Sequence, residues 1–244
     1  MRCAILADIH SNLEAFTAVL DDIEDRGGAD EVWCLGDVVG YGPEPRECIA
    51  RLRETEHVCV VGNHDGAAIG KLDVSVFNPH AAIASRWTAQ QLEAEDRQYL
   101  GDLRPVIEKA DFTLVHGSPR EPLWEYLLST WSAEQSLAHF STRFCLVGHT
   151  HAPAVFTFDD DGRCSARQFL PDNPLVLGER RLLINPGAVG QPRDGDPRAS
   201  YAIYDSEAAV VHLYRVPYDI PATQAKMMDR GLPMPLAARL SHGL

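Results

Sequence analysis

The stretch Arg2-Cys3-Ala4-Ile5-Leu6-Ala7-Asp8-Ile9-His10-Ser11-Asn12-Leu13-Glu14 decides how the rest of the chain is read. From Cys3 to Ala7 it is an unbroken apolar run, as expected of a strand buried on both faces. The run ends on a carboxylate and an imidazole two residues apart, Asp8 and His10. Ser11 and Glu14 are then spaced like a capping box. Leu13, Phe16, Leu20 and Ile23 recur at helical spacing until Gly27-Gly28 stops the helix. The same plan repeats: Val32 to Leu35 leads to Gly36-Asp37 and a helix from Pro45 to Arg53, and His57 to Val61 leads to Gly62-Asn63-His64-Asp65. Alternation of this kind predicts a largely parallel sheet with covering helices.

Further along, Asn78 to Leu103 carries a long helical pattern (Ile83, Trp87, Leu92, Tyr99), with a break expected near Glu95-Asp96. Phe112 to Val115 reads as a strand closing on His116-Gly117, Pro119 to Trp131 as a loop, and Phe144 to Val147 as a strand closing on Gly148-His149-Thr150-His151. After that come short strands separated by turns: 155–158, 163–169, 181–184, 201–204 and 210–216, hairpin-like and antiparallel in character. The expected fold is therefore α/β: two packed mixed β-sheets flanked by helices, βαβα in the first half and antiparallel β in the second. One domain over 1–244 is expected, with a helical tail at 220–244 around Gly231-Leu232-Pro233.

Apolar residues make up 45% of the 244 and charged residues 23%, an ordinary globular balance. No stretch approaches the ~20 apolar residues that span a bilayer. The N-terminus meets Asp8 too early for a signal peptide, so a cytoplasmic protein is expected. The six cysteines form no C-x-x-C and are expected as reduced thiols. A net charge of −13 argues against non-specific nucleic-acid binding, which needs clustered Lys and Arg. It leaves room for a small anionic substrate, because two divalent ions reverse the local field.

The polar residues that end the strands comprise three Asp, five His and one Asn: Asp8, Asp37, Asp65, His10, His64, His116, His149, His151 and Asn63. Converging in one crevice, oxygen and nitrogen donors of this type suit Mn, Fe, Zn, Co or Ni rather than a thiolate metal. In order and spacing, Asp8-x-His10, Gly36-Asp37, Gly62-Asn63-His64-Asp65, His116 and Gly148-His149-x-His151 resemble the calcineurin-like metallophosphoesterase family, closest to its small bacterial and archaeal phosphodiesterase-type members.

That resemblance implies a two-metal-dependent phosphoesterase acting on a small phosphodiester, with manganese the expected metal for activity. It implies Asp37 as the bridging ligand, Asp8, His10 and His151 completing one site, and Asn63, His116 and His149 the other. His64 is then the metal-free acid facing the substrate, with Asp65 expected to fix its tautomer by a hydrogen bond. The physical logic is independent: a divalent ion lowers the pKa of its bound water, and two ions can clamp nucleophile and phosphoryl oxygens together. A phosphomonoesterase or dinucleoside polyphosphate hydrolase would use the same site. A Ser/Thr phosphatase is disfavoured, because Gly36-Asp37-Val38-Val39-Gly40-Tyr41-Gly42 carries no Arg. A non-catalytic scaffold is disfavoured because every ligand and His64 remain.

The loop Asn185-Pro186-Gly187-Ala188-Val189-Gly190-Gln191-Pro192-Arg193-Asp194 is also typical of the small members. Arg193 is a candidate phosphate donor, and Asn12, Asn78, Tyr41 and Arg86 are candidate pocket residues. Trp124, Tyr126 and Trp131 are expected in core packing, with stacking on a nucleobase as the alternative.

Overall fold

The computed structural model describes residues 1–244. In chain order it begins with β1 (Arg2–Leu6), α1 (Leu13–Asp25), β2 (Glu31–Cys34), α2 (Pro45–Arg53) and β3 (His57–Cys59). Three helices follow, α3 (Asn63–Ala68), α4 (Pro79–Gln91) and α5 (Ala94–Asp102). Next come β4 (Val106–Lys109), β5 (Phe112–Val115), α6 (Thr130–Ser136), β6 (Phe144–Leu146), β7 (Ala154–Phe158) and β8 (Cys164–Gln168). The last strands are β9 (Leu175–Val176), β10 (Leu182–Asn185), β11 (Ala199–Asp205) and β12 (Val210–Val216). The tail forms α7 (Ile220–Asp229), α8 (Met234–Ala238) and a final 3₁₀ turn, Arg239–His242.

Two six-stranded mixed sheets result, ordered β3-β2-β1-β11-β12-β9 and β4-β5-β6-β10-β7-β8. β1, β2 and β3 are parallel, as are β5, β6 and β10. Alternate residues of β1 choose their layer. Cys3 and Ile5 enter the core between the sheets with Trp33, Phe112 and Phe144, while Ala4 and Leu6 pack outward with Phe16, Val19 and Ile49 of α1 and α2. A third cluster, with Val115, Phe156 and Ala133 of α6, covers the outer face of the second sheet.

The two halves of the chain do not map onto the two sheets. β11 pairs antiparallel with β1, so the late strands complete the first sheet, and β10 lies parallel to β6 rather than in a simple meander. Alternation in a sequence reports which face is buried, not which edge a strand joins. The helix break falls at Leu92-Glu93, before Glu95-Asp96, because Asp96 accepts from the Glu93 amide and caps α5. Acids favour a helix start, so this pair marks a beginning rather than an end. Likewise the cap of α1 is Asn12, whose Oδ1 accepts from the Ala15 amide at 3.2 Å, and Ser11 lies outside it. All six cysteines are free thiols. No helix is long and apolar enough to cross a membrane.

Candidate metal centre

Every candidate ligand leaves the C-terminal end of a parallel strand. Asp8 and His10 follow β1, Asp37 follows β2 and Asn63 follows β3; His116 follows β5, and His149 and His151 follow β6. Leaving a strand this abruptly requires unusual backbone. Asp8, His10, Asp37, His149 and His151 all have φ between 51° and 63°, the left-handed region that costs an ordinary side chain energy. Such strain persists only where the surroundings over-determine it. Here Gly36 and Gly62 let the β2 and β3 loops touch: a Cβ on Gly62 would stand 2.0 Å from Asp37 Oδ1. Gly190 brings the 185–194 loop against β1, since its Cβ would fall 1.8 Å from the Ile9 carbonyl oxygen.

Two donor groups form in this way, Asp8–His10–His151 and Asp37–His116–His149, each with ligand atoms within 4.8 Å of one another. Asp37 Oδ2 lies 3.6 Å from His10 Nε2 and 3.3 Å from His116 Nε2, placing it between the groups. His116 Nε2 is also 3.1 Å from Asn63 Oδ1 and 3.1 Å from His149 Nδ1, and His10 Nε2 is 3.1 Å from His151 Nε2. Neighbouring donors about 2.1 Å from one ion stand roughly 3 Å apart, so these spacings suit coordination. The tautomers agree. Nδ1 of His10, His116 and His151 faces the carbonyls of Val39, Leu35 and Gln191, which leaves each Nε2 lone pair directed inward.

The ligand side chains, and His64, are at most 4% exposed, and Asp37 Oδ2 is buried without a hydrogen-bond partner. An orphaned buried carboxylate oxygen between two groups of imidazoles fits a pair of divalent cations. Charge distorts the whole group. Burial pushes His149 down to about 3, with the His116 charge adding to it. Burial would lower His116 too, but the Asp37 carboxylate overrides it and raises that imidazole to about 9.

His64 joins neither donor group. Its ring packs against Tyr41 (4.3 Å between centroids), Phe77 (4.7 Å) and His10 (5.0 Å), and Nδ1 has no partner. Burial holds it down to about 4. The expected hydrogen bond from Asp65 is not formed. Asp65 accepts instead from the backbone amides of Asp37, Val39 and Gly62 at 2.8, 3.0 and 3.0 Å. It fastens the β2 loop to the β3 loop. Burial and the Asp37 charge push it up to about 7.

The candidate pocket residues divide. Arg193 reaches the centre: its Nη2 bonds Gln191 Oε1 at 2.8 Å, and its charge is felt at His10, His64 and His151. Tyr41 lies edge-on to His10 at 4.7 Å. Asn12 does not face a ligand, because its amide donates to the Gly190 carbonyl at 2.8 Å and its oxygen caps α1 and accepts from Thr223. Asn78 is an exposed cap of α4, and Arg86 lies exposed on the same helix. The aromatic cluster is not core: Trp131 is 63% and Tyr126 47% exposed. Tyr126 stacks on the His149 ring at 3.8 Å, and Trp124 packs on Phe77 at 5.2 Å. Asn185, which donates to the Gly148 carbonyl at 2.7 Å and so steadies the His149 loop, had no signal in the sequence beyond its loop. A cavity of about 630 Å³ between Leu127, Phe156 and Arg215 is lined by none of the ligands.

Residues 1–209 match the family model for the calcineurin-like phosphoesterase superfamily domain. The chain belongs to the calcineurin-like phosphoesterase superfamily. It is an enzyme of the phosphoric-ester hydrolase class. A crystal structure of a metallophosphoesterase from Sphaerobacter thermophilus is 46% identical, with a TM-score of 0.90 over 100% of this chain and 99% of that one. An uncharacterised protein of Methanocaldococcus jannaschii is 39% identical over 98% of this chain and 97% of its own length. More distantly, a symmetrical bis(5'-nucleosyl)-tetraphosphatase of Methylobacillus flagellatus is 30% identical over 56% of this chain, which spans 47% of that relative. Among calcineurin-like phosphoesterases the pair of Asp/His groups is a potential dinuclear centre.

Proposed function

We propose that this calcineurin-like phosphoesterase hydrolyses a small phosphodiester, with Asp8, His10 and His151 holding one divalent ion, Asn63, His116 and His149 holding a second, and Asp37 bridging them. The observation that carries the reading is the position of Asp37 Oδ2, buried, unpartnered and within 3.6 Å of imidazoles from both groups. When bound, the two ions supply an activated water and neutralise charge on the phosphoryl oxygens. The chain's own residues do the rest. Asp37 Oδ1 accepts from the His64 amide at 2.8 Å, so the bridging carboxylate and the acid are fixed relative to one another.

His64 faces the substrate and donates a proton or hydrogen bond to the leaving oxygen. In the free enzyme it is neutral at pH 7, and the negative charge of an arriving phosphoryl group is what raises its proton affinity. Tyr126, stacked on His149, and Phe77, against His64, wall the centre from bulk water. Manganese is the proposed activating metal. The test is hydrolysis of bis(p-nitrophenyl) phosphate against p-nitrophenyl phosphate by metal-stripped protein titrated with Mn²⁺. Activity that rises with metal and favours the diester supports the proposal; activity confined to the monoester, or none on either, overturns the small-phosphodiester reading.

A second reading, hydrolysis of a dinucleoside polyphosphate, is favoured by the names of several partial relatives, one of them 37% identical over 68% of this chain and 48% of its own length.

A further inference from the structure

Arg239 lies beyond the stretch matched by the family model, in the last turn of the tail. α7 and α8 fold back over the site: Met227, Leu232, Leu236 and Leu240 bury themselves with Tyr41 and α4 in one apolar cluster. The tail end is clasped to the loop that carries Arg193, because the Gly195 amide donates to the Gly243 carbonyl at 3.0 Å. The clasp brings two guanidinium groups together. Arg193 and Arg239 both donate through Nη2 to the same oxygen, Gln191 Oε1. Their guanidinium carbons lie 5.7 Å and 4.8 Å from the centroid of one ring, Tyr41.

Two like charges sharing one neutral acceptor are costly unless something negative joins them. Neither arginine has a carboxylate within 4.0 Å, in a chain with 35 acidic residues, and the Nε of each is buried without a partner. Arg239 is pushed down by burial and by the Arg193 charge. The Tyr41 ring that Arg239 covers also packs against His10 at 4.7 Å and His64 at 4.3 Å between centroids. A planar, bidentate donor pair with spare N–H groups is matched to phosphate oxygens.

We infer that Arg193 and Arg239 form a subsite for a second, non-scissile phosphoryl group, so that the preferred substrate carries two neighbouring phosphates. The inference rests on the proposed phosphodiesterase reading and narrows it to diphosphate-type diesters. Arg239 is thereby a specificity-determining residue supplied by the tail.

The test compares Kd for adenosine diphosphate and adenosine monophosphate on the manganese-loaded full chain by titration calorimetry. The base and ribose are common to both, so the ratio isolates the extra phosphate. A preference for the diphosphate of roughly 10- to 100-fold is expected, the range of charge-assisted hydrogen bonds. Arg239→Gln and, independently, Arg193→Gln bring the ratio toward one, and Arg239→Lys restores part of it. A wild-type ratio near one, or a ratio that survives in both glutamine variants, overturns the inference. Equal weakening of both nucleotides leaves the ratio unchanged and does the same, placing the arginines on the phosphate at the metals. Failure of the wild type to hydrolyse bis(p-nitrophenyl) phosphate would strike the phosphodiesterase reading alone, since the binding ratio is read without turnover.

Discussion

His64 separates the two things a histidine can do in this centre. It stands among the ligands in sequence, yet its ring is turned into a cage of Tyr41, Phe77 and His10. Its role as a proton or hydrogen-bond donor predicts a leaving-group effect. His64→Ala should keep its metal content by elemental analysis, lose about 10²–10⁴-fold in kcat on an alkyl diester, and lose far less on a nitrophenyl diester. Equal losses on both substrates would remove it from proton transfer. A second prediction concerns pH. The folded pKa of about 4 lies below the unfolded value near 6.5, so the neutral ring is favoured by folding. The associated stability is present above pH 6.5 and lost as pH falls toward 4, about 3 kcal/mol at most. In chelator, the wild type should therefore lose more thermal stability between pH 7 and pH 4.5 than His64→Gln; identical losses would contradict a buried neutral imidazole. At this scale the sequence was informative about donors, because five short strings fix which atoms end the strands. It said nothing of Arg239, whose place beside Arg193 depends on a tail folding back across the 45 residues that separate them.

At the level of elements, the strand ends were legible and the fastenings between them were not. Apolar runs predicted β1, β5 and β6 to within one residue, and the repeated strand–turn–helix plan placed α2 from Pro45 to Arg53. Capping was misread by one position, since Asn12 and Ser11 are both competent caps and only the turn geometry chooses between them. Asp65 was assigned to His64 by adjacency, whereas its carboxylate is saturated by three backbone amides from two loops. Local sequence cannot distinguish these, because both need a buried acceptor at the same place. The loop contact itself predicts an outcome. Gly62→Ala would drive a methyl to 2.0 Å from Asp37 Oδ1 and 2.3 Å from its amide nitrogen, so the β2 and β3 loops must separate. We expect a loss of about 1–3 kcal/mol, the usual range for overpacking, together with sub-stoichiometric metal. Unfolding curves and elemental analysis that match the wild type would show that the loops do not depend on this approach.

Across the whole molecule, the centre is the place where the two sheets meet through polar groups rather than apolar ones. Asp8, His10 and Asp37 come from the sheet built on β1, whereas His116, His149 and His151 come from the sheet built on β5 and β6. The seam is already stitched by protein bonds, since the His149 amide donates to Asp8 Oδ2 at 3.1 Å and the Val189 and Gly190 amides donate to the Ala7 and Asp8 carbonyls. Two buried carboxylates remain, however, whose charge those bonds do not cancel. Ions held by both groups would clamp one sheet to the other, and their binding free energy would enter the stability of the whole fold. At a free metal concentration 100 times Kd each ion contributes about 2.7 kcal/mol, and for a chain of this size each kcal/mol raises Tm by roughly 2–4 °C. Saturating Mn²⁺ should therefore raise Tm by about 5–10 °C per ion over protein in chelator. Asp37→Asn, which removes the charge placed between both groups, should lose at least one ion by elemental analysis and the larger part of that shift. A variant that bound both ions and kept the full shift would show that the sheets are clamped without Asp37, and the proposed ligand scheme would have to be redrawn around Asp8.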